Sequence, residues 1–193
     1  MLSERAREMT RGLLTDIAGV VARTGLTPSV LTWLGFVFSA FTAWVLSHGA
    51  FRAGGALVLI AGLFDALDGS LARATNRVSA FGAFLDSTLD RLAEAVLYLG
   101  LLVFFAGQPG SQQEIALTYL AIVGSLMVSY TRARAEGLGY ECKVGLFTRF
   151  ERVLVLSLGL LFGQMRVALW ILAAGSFLTA FHRMWHVWKT VSE

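Results

Sequence analysis

The chain has 193 residues, 56% of them hydrophobic and only 15% charged, with a mean hydropathy of +0.66 and a net charge of +3. Soluble domains hold about 45–50% apolar and about 25% charged residues, so this composition excludes an ordinary soluble globule and predicts an all-α integral membrane protein. A lone Cys142 excludes an internal disulfide, and at about 20 residues per span the length suits one membrane domain, taken as residues 1–193.

Residues 3–23 read as an amphipathic helix, with Leu13, Leu14, Ile17, Val20 and Val21 at helical spacing and Arg5, Arg7, Arg11 and Asp16 elsewhere. Such a helix lies along the bilayer surface; the plainer alternative is an ordinary helix on a cytosolic flank. No cleavable signal peptide is expected, because the start is charged and lacks a short apolar core followed by small residues. The first span covers 27–47, with Thr27 as N-cap and Pro28 as first helical residue. Further spans follow at 51–74, 79–106, 113–135, 149–163 (short) and 166–189, making a six-helix transmembrane bundle over 27–189. The connections are "HGAF", "AGQPGSQQ", the glycine-interrupted "GLGYECKVGLFT" and "QMR".

Six spans place nearly all of the 16 Lys and Arg on one side; only Arg52 and Arg166 fall opposite, and Arg91 lies within a span. The positive-inside rule then puts both termini in the cytoplasm of a multi-pass cell-membrane protein.

Against this apolar background, "DALDGSLARATNRVSAFGAFLDSTLD" carries Asp65, Asp68, Asp86 and Asp90. The i, i+3 and i, i+4 spacings put each pair on one helix face. At a rise of about 1.5 Å per residue, Asp68 and Asp65 lie roughly 9 and 13 Å from the cytoplasmic end of the second span. Asp86 and Asp90 lie roughly 10 and 16 Å from that end of the third. All four reach similar depths, so they can converge on one cavity open to the cytosol. A single unpaired Asp at mid-membrane costs about 2.5–3.5 kcal/mol, and a close quartet adds repulsion. Protonation or bound cations relieve this. Two divalent ions would balance the charge, and an oxygen-only ligand set suits Mg²⁺, or Mn²⁺, rather than zinc. The plainer alternative pairs some of these acids with Arg73, Arg77 and Arg91. Gly62 and Gly82 read as packing glycines, whereas Gly69, beside Asp68, allows backbone approach by a ligand. Arg73, five residues past Asp68, can grip a phosphate.

The run Asp65-x2-Asp68-Gly69-x2-Ala72-Arg73-x8-Gly82-x3-Asp86-x3-Asp90 resembles, at every fixed position, the signature of the CDP-alcohol phosphotransferases. The resemblance implies six spans, cytosolic termini, an N-terminal surface helix and a homodimer. It implies a reaction in which an alcohol hydroxyl attacks the lipid-side phosphorus of a CDP-linked lipid and CMP leaves. By motif position, Asp65, Asp68, Asp86 and Asp90 are implied as ligands of two metals, and Asp90 also as the general base. Gly69, Arg73 and Ser79 match positions that hold the CDP moiety, though Ser79 equally suits a cap on the third span. Pro28, Ser29, Val30 and Leu31 match a nucleotide-side segment; where the family often has Asn, this chain has Ser29.

Arg132, Arg134, Lys143, Arg149 and Arg152 cluster around the glycine-interrupted loop. Topology and lipid headgroups explain a cytosolic position, while a polyanionic acceptor such as a sugar or polyol phosphate explains the tightness. The "ARAEG" and "R-x-E-R" runs resemble the branch that makes phosphatidylinositol phosphate, or its archaeal ether-lipid counterpart, from inositol 1-phosphate, implying that Arg132, Arg149 and Arg152 bind the acceptor phosphate. For Arg134 and Glu136 the alternative is an internal ion pair. Glycerol 3-phosphate is the alternative acceptor, because phosphatidylglycerol phosphate synthases share the main motif.

Two other classes remain open from residues alone. A divalent-cation transporter also places acids in its membrane path, but the outer half of the spans shows no matching acids. A purely structural membrane protein leaves the aspartates unexplained. The expected partners are a CDP-diacylglycerol-type lipid, a phosphorylated polyol and the bilayer, with no nucleic acid. His182 and His186, beside Trp185 and Trp188, read as an interfacial belt.

Overall fold

The computed structural model describes residues 27–74 and 79–192, without the side chains at 63, 65, 66, 68–70 and 72–74. The helix expected over 3–23 lies outside the described residues. Those residues form six helices: α1 (Pro28–Ser47), α2 (Phe51–Ala74), α3 (Ala80–Ala106), α4 (Gln112–Gly137), α5 (Arg149–Leu161) and α6 (Met165–Ser192). Their ends lie close to those read from hydropathy. Three of them, α1, α4 and α6, are long and apolar enough to cross a membrane.

The helix ends follow from local chemistry. Thr27 starts α1 as expected: the Val30 N–H lies 3.1 Å from its carbonyl oxygen and 3.4 Å from its Oγ1, and Pro28 fills the first helical position, where no amide hydrogen is needed. Ser79 Oγ accepts the Gly82 N–H at 3.0 Å at the start of α3. Thr148 and Glu151 form a reciprocal capping box at the start of α5, with the Thr148 N–H donating to Glu151 Oε2 at 2.8 Å. Gly139, at φ 87°, stops α4 in the left-handed conformation that glycine adopts without strain.

The described chain divides into two compact units. The first holds 27–41 and 60–93. There the start of α1 packs on the end of α2: Leu31 and Leu71 are buried, with Phe64 and Leu67 against them. The Phe38 and Phe64 rings lie 5.4 Å apart, and a Cβ on Gly35 would stand 3.3 Å from Phe64 Cβ.

The second unit holds 42–59 and 94–192. Its core includes Leu46, Tyr98, Leu101, Leu156, Leu160 and Leu169, and α6 packs on both α4 and α5. Helices approach closely at Gly100, where a Cβ would meet the Ala43 carbonyl oxygen at 2.3 Å. The expectation that the outer half of the spans lacks acids overlooks Glu114, which is buried in the first turn of α4. Arg166 neutralises it, with Nη2 2.6 Å from Glu114 Oε1, so this acid is half of an ion pair.

With 13 residues, α5 rises only about 20 Å, short of the roughly 30 Å hydrocarbon layer. The non-helical stretch before it lies along α6. A Cβ on Gly145 would meet Thr179 Cγ2 at 2.6 Å, and the Phe147 N–H donates to Thr179 Oγ1 at 3.2 Å. The Phe147 ring sits against Gly175, where a Cβ would meet it at 2.9 Å. Arg183 closes the arrangement: only 4% exposed, its Nε donates to the Val144 carbonyl at 2.9 Å and its Nη1 to that of Val128. Unwound backbone in apolar surroundings needs such partners for its polar groups.

Candidate active site

All four motif aspartates fall in the first unit. Positions 65 and 68 lie near the end of α2, three residues apart and so about 60° apart around the axis. Asp86 and Asp90 stand one turn apart on α3. Asp86 is half-buried, with Oδ1 sealed from solvent, and the Asp90 side chain is 16% exposed. The pairing of Asp90 with Arg91 is slight: Arg91 Nη1 stays 3.9 Å from Asp90 Oδ2 and donates instead to the Ser87 carbonyl at 2.5 Å. Arg77 lies outside the described residues, as does the side chain of Arg73.

Among the described residues no group of three or more His, Cys, Asp or Glu could hold a metal, and the side chains of Asp65 and Asp68 are not among them. The donor chemistry fits a hard cation nonetheless. Asp86 and Asp90, one turn apart on α3, present only carboxylate oxygens, and the motif residues at 65 and 68 are of the same type. No nitrogen or sulfur donor competes in that set.

The residues expected to hold the CDP moiety have mixed surroundings. Ser79 is the cap described above. Leu31 is buried against Leu71, so its side chain serves packing; Pro28 and Ser29 are half-buried and Val30 is exposed. Gly82, expected as a packing glycine, lies beneath the Ser79 cap, where a Cβ would meet Ser79 Oγ at 3.0 Å.

The basic cluster belongs to the second unit. Arg132 is exposed, with Nε 2.8 Å from Glu136 Oε1. The ion pair expected between Arg134 and Glu136 therefore forms with Arg132, four residues before the acid and on the same helix face. Arg149 opens α5 and is half-buried, with Nε sealed from solvent. Arg152 is 2% exposed. It grips Glu94 with both arms, Nε to Oε1 at 2.6 Å and Nη2 to Oε2 at 2.7 Å. Lys143 pairs with Glu141 on the surface, and the hydrogen bond and charge of Lys143 hold the Glu141 carboxyl below its usual range.

Sequence reading missed Glu94 and Arg183. Glu94 follows Asp90 by one turn on α3, and that i, i+4 continuation of the acidic stripe was the available signal. Arg183 was visible only as one more cytosolic charge.

The chain is similar to known proteins over most of its length. The family model described as CDP-alcohol phosphatidyltransferase matches residues 25–184. An archaetidylinositol phosphate synthase of Methanothermobacter thermautotrophicus is 37% identical over 189 residues, covering 95% of this chain and 92% of that protein. A phosphatidylinositol phosphate synthase of Cutibacterium acnes is 39% identical over 144 residues, 74% of this chain and 70% of that one. The crystal structure of Mycobacterium tuberculosis phosphatidylinositol phosphate synthase (PgsA1) with CDP-DAG bound is similar at a TM-score of 0.86. It is 34% identical and covers 91% of this chain and 93% of that one. A second PgsA1 structure, in complex with manganese and citrate, has the same TM-score of 0.86, with 34% identity, and covers 91% of this chain and 88% of that one. The chain belongs to the CDP-alcohol phosphatidyltransferase family.

Proposed function

We propose that this protein transfers a phosphatidyl group from CDP-diacylglycerol to inositol 1-phosphate, giving phosphatidylinositol phosphate and CMP. The observation that carries the reading is the pair of sheltered carboxylates, Asp86 and Asp90, in the same unit as positions 65 and 68. The synthase names of its relatives and the CDP-DAG bound to PgsA1 support the substrates, and manganese bound to PgsA1 supports the metal.

Asp65, Asp68, Asp86 and Asp90 would hold two divalent ions, Mg²⁺ or Mn²⁺, which supply a positive clamp on the diphosphate. The CDP moiety rests on Gly69, Arg73 and Ser79, with Pro28, Ser29, Val30 and Leu31 on the nucleotide side. Asp90 takes the proton of the acceptor hydroxyl directly or through one water. The hydroxyl oxygen bonds to the lipid-side phosphorus, and the phosphoryl bond to CMP breaks with its electrons leaving on CMP. Arg132 and Arg149 hold the acceptor phosphate, with Arg152 at the same helix start. Six spans, a surface helix over 3–23, cytosolic termini in the cell membrane and a homodimer complete the proposal, as one domain over 1–193.

A CMP-release assay on CDP-diacylglycerol tests it, comparing inositol 1-phosphate, glycerol 3-phosphate, free inositol and serine. Release with inositol 1-phosphate well above the others is expected. Preference for glycerol 3-phosphate would move the protein to phosphatidylglycerol phosphate synthesis, and release with free inositol or serine alone would overturn a phosphorylated acceptor.

A further inference from the structure

Glu94 and Arg152 are 7% and 2% exposed. A buried ion pair adds little net stability over an apolar pair of similar volume, so what this one chiefly supplies is geometry. Both arms of a planar guanidinium fork are fixed by one carboxylate. The third nitrogen, Nη1, lies 3.4 Å from the Phe147 carbonyl oxygen. Arg152 thereby joins the middle of α3 to the first turn of α5 and to the non-helical residues that precede it. Helix electrostatics do not account for an arginine here, because the positive end of the dipole lies at this turn. Arg149 stands three residues earlier on the same helix, on the same face.

We infer that Glu94 is a positioning residue for acceptor binding. By gripping Arg152 it fixes the opening turn of α5 and so the place of Arg149; Arg152 is then a strut, its charge matched by Glu94, and not a ligand of the acceptor phosphate. This rests on the reading of Arg149 as an acceptor-phosphate residue.

The test is CMP release from CDP-diacylglycerol by the full chain, with inositol 1-phosphate varied. Glu94→Gln should raise the acceptor KM by about tenfold while the CDP-diacylglycerol KM stays within about twofold, and Glu94→Asp should recover most of the acceptor affinity, as expected for an effect carried by one charged contact. Glu94→Gln combined with Arg149→Ala should raise the acceptor KM no further than Arg149→Ala alone, because the two act through one route. Equal rises in both KM values, fully additive effects, or an unshifted acceptor KM would each overturn the inference. Should Glu94→Gln not fold, Glu94→Asp carries the same cycle with a smaller shift. A wild-type chain that releases no CMP with any phosphorylated polyol would defeat the proposed function and this role together; an active wild type with unshifted variants defeats the role alone.

Discussion

Asp86 and Asp90 stand a turn apart on one helix, whereas Arg132, Arg149, Arg152 and Arg183 come from three helices and contact unwound chain as well as side chains. The acids are placed by local geometry: once α2 and α3 are helical, their spacing fixes their faces. The basic residues are sorted by partners remote in sequence. Arg152 is claimed by Glu94, Arg183 by backbone carbonyls and Arg132 by a neighbour on its own helix. Equal charges in one cluster thus have unequal duties, and only contacts reveal which.

Five measurements put this contrast to the test. Removing divalent ions with EDTA should abolish CMP release, and Mg²⁺ or Mn²⁺ should restore it; activity that persists in chelator would remove the metal role from the acids. Asp90→Asn should lower turnover by about 10²–10⁴-fold with binding of the CDP-lipid retained, the range expected for a lost general base. Near-normal turnover would assign the base elsewhere. On the basic side, Arg149→Ala should raise the acceptor KM by about tenfold or more and leave that of the CDP-lipid nearly unchanged, the cost of one charge-assisted contact. Equal effects on both substrates would detach Arg149 from the acceptor. Arg183→Met should leave the half-buried Val144 carbonyl without its donor, at about 1–3 kcal/mol, while the Val128 carbonyl keeps Thr131 Oγ1, and thermal unfolding in detergent should shift down by a few degrees. The smallest effect belongs to Glu141. Its lowered pKa means that its pairing with Lys143 stabilises above the ordinary carboxylate pKa and is lost as pH falls through the lowered value. Since the group is fully exposed, Glu141→Gln should leave both unfolding temperature and KM values unmoved.

The helices and the aspartate motif were legible because each follows from short-range rules: apolar length for a span, Thr27 and Pro28 for a start, i, i+3 and i, i+4 for a shared face. The glycine-interrupted loop was legible as a break in helix but not as a stretch packed along α6, since that depends on Thr179 and Arg183 more than thirty residues away. The Arg134–Glu136 expectation failed for a different reason. Sequence proximity suggested the pair, while helix register favours Arg132. Glu94 went unread because Arg152, its partner, lies 58 residues on.

The bracing of Val144 and Val128 by Arg183 also bears on biosynthesis. The guanidinium that reaches those carbonyls sits on α6, which leaves the ribosome after α5, so the Val144 carbonyl ahead of α5 must wait for its donor until α6 is made. A nascent chain halted before α6 would hold the whole aspartate motif while the stretch ahead of α5 still lacked the donor that braces it.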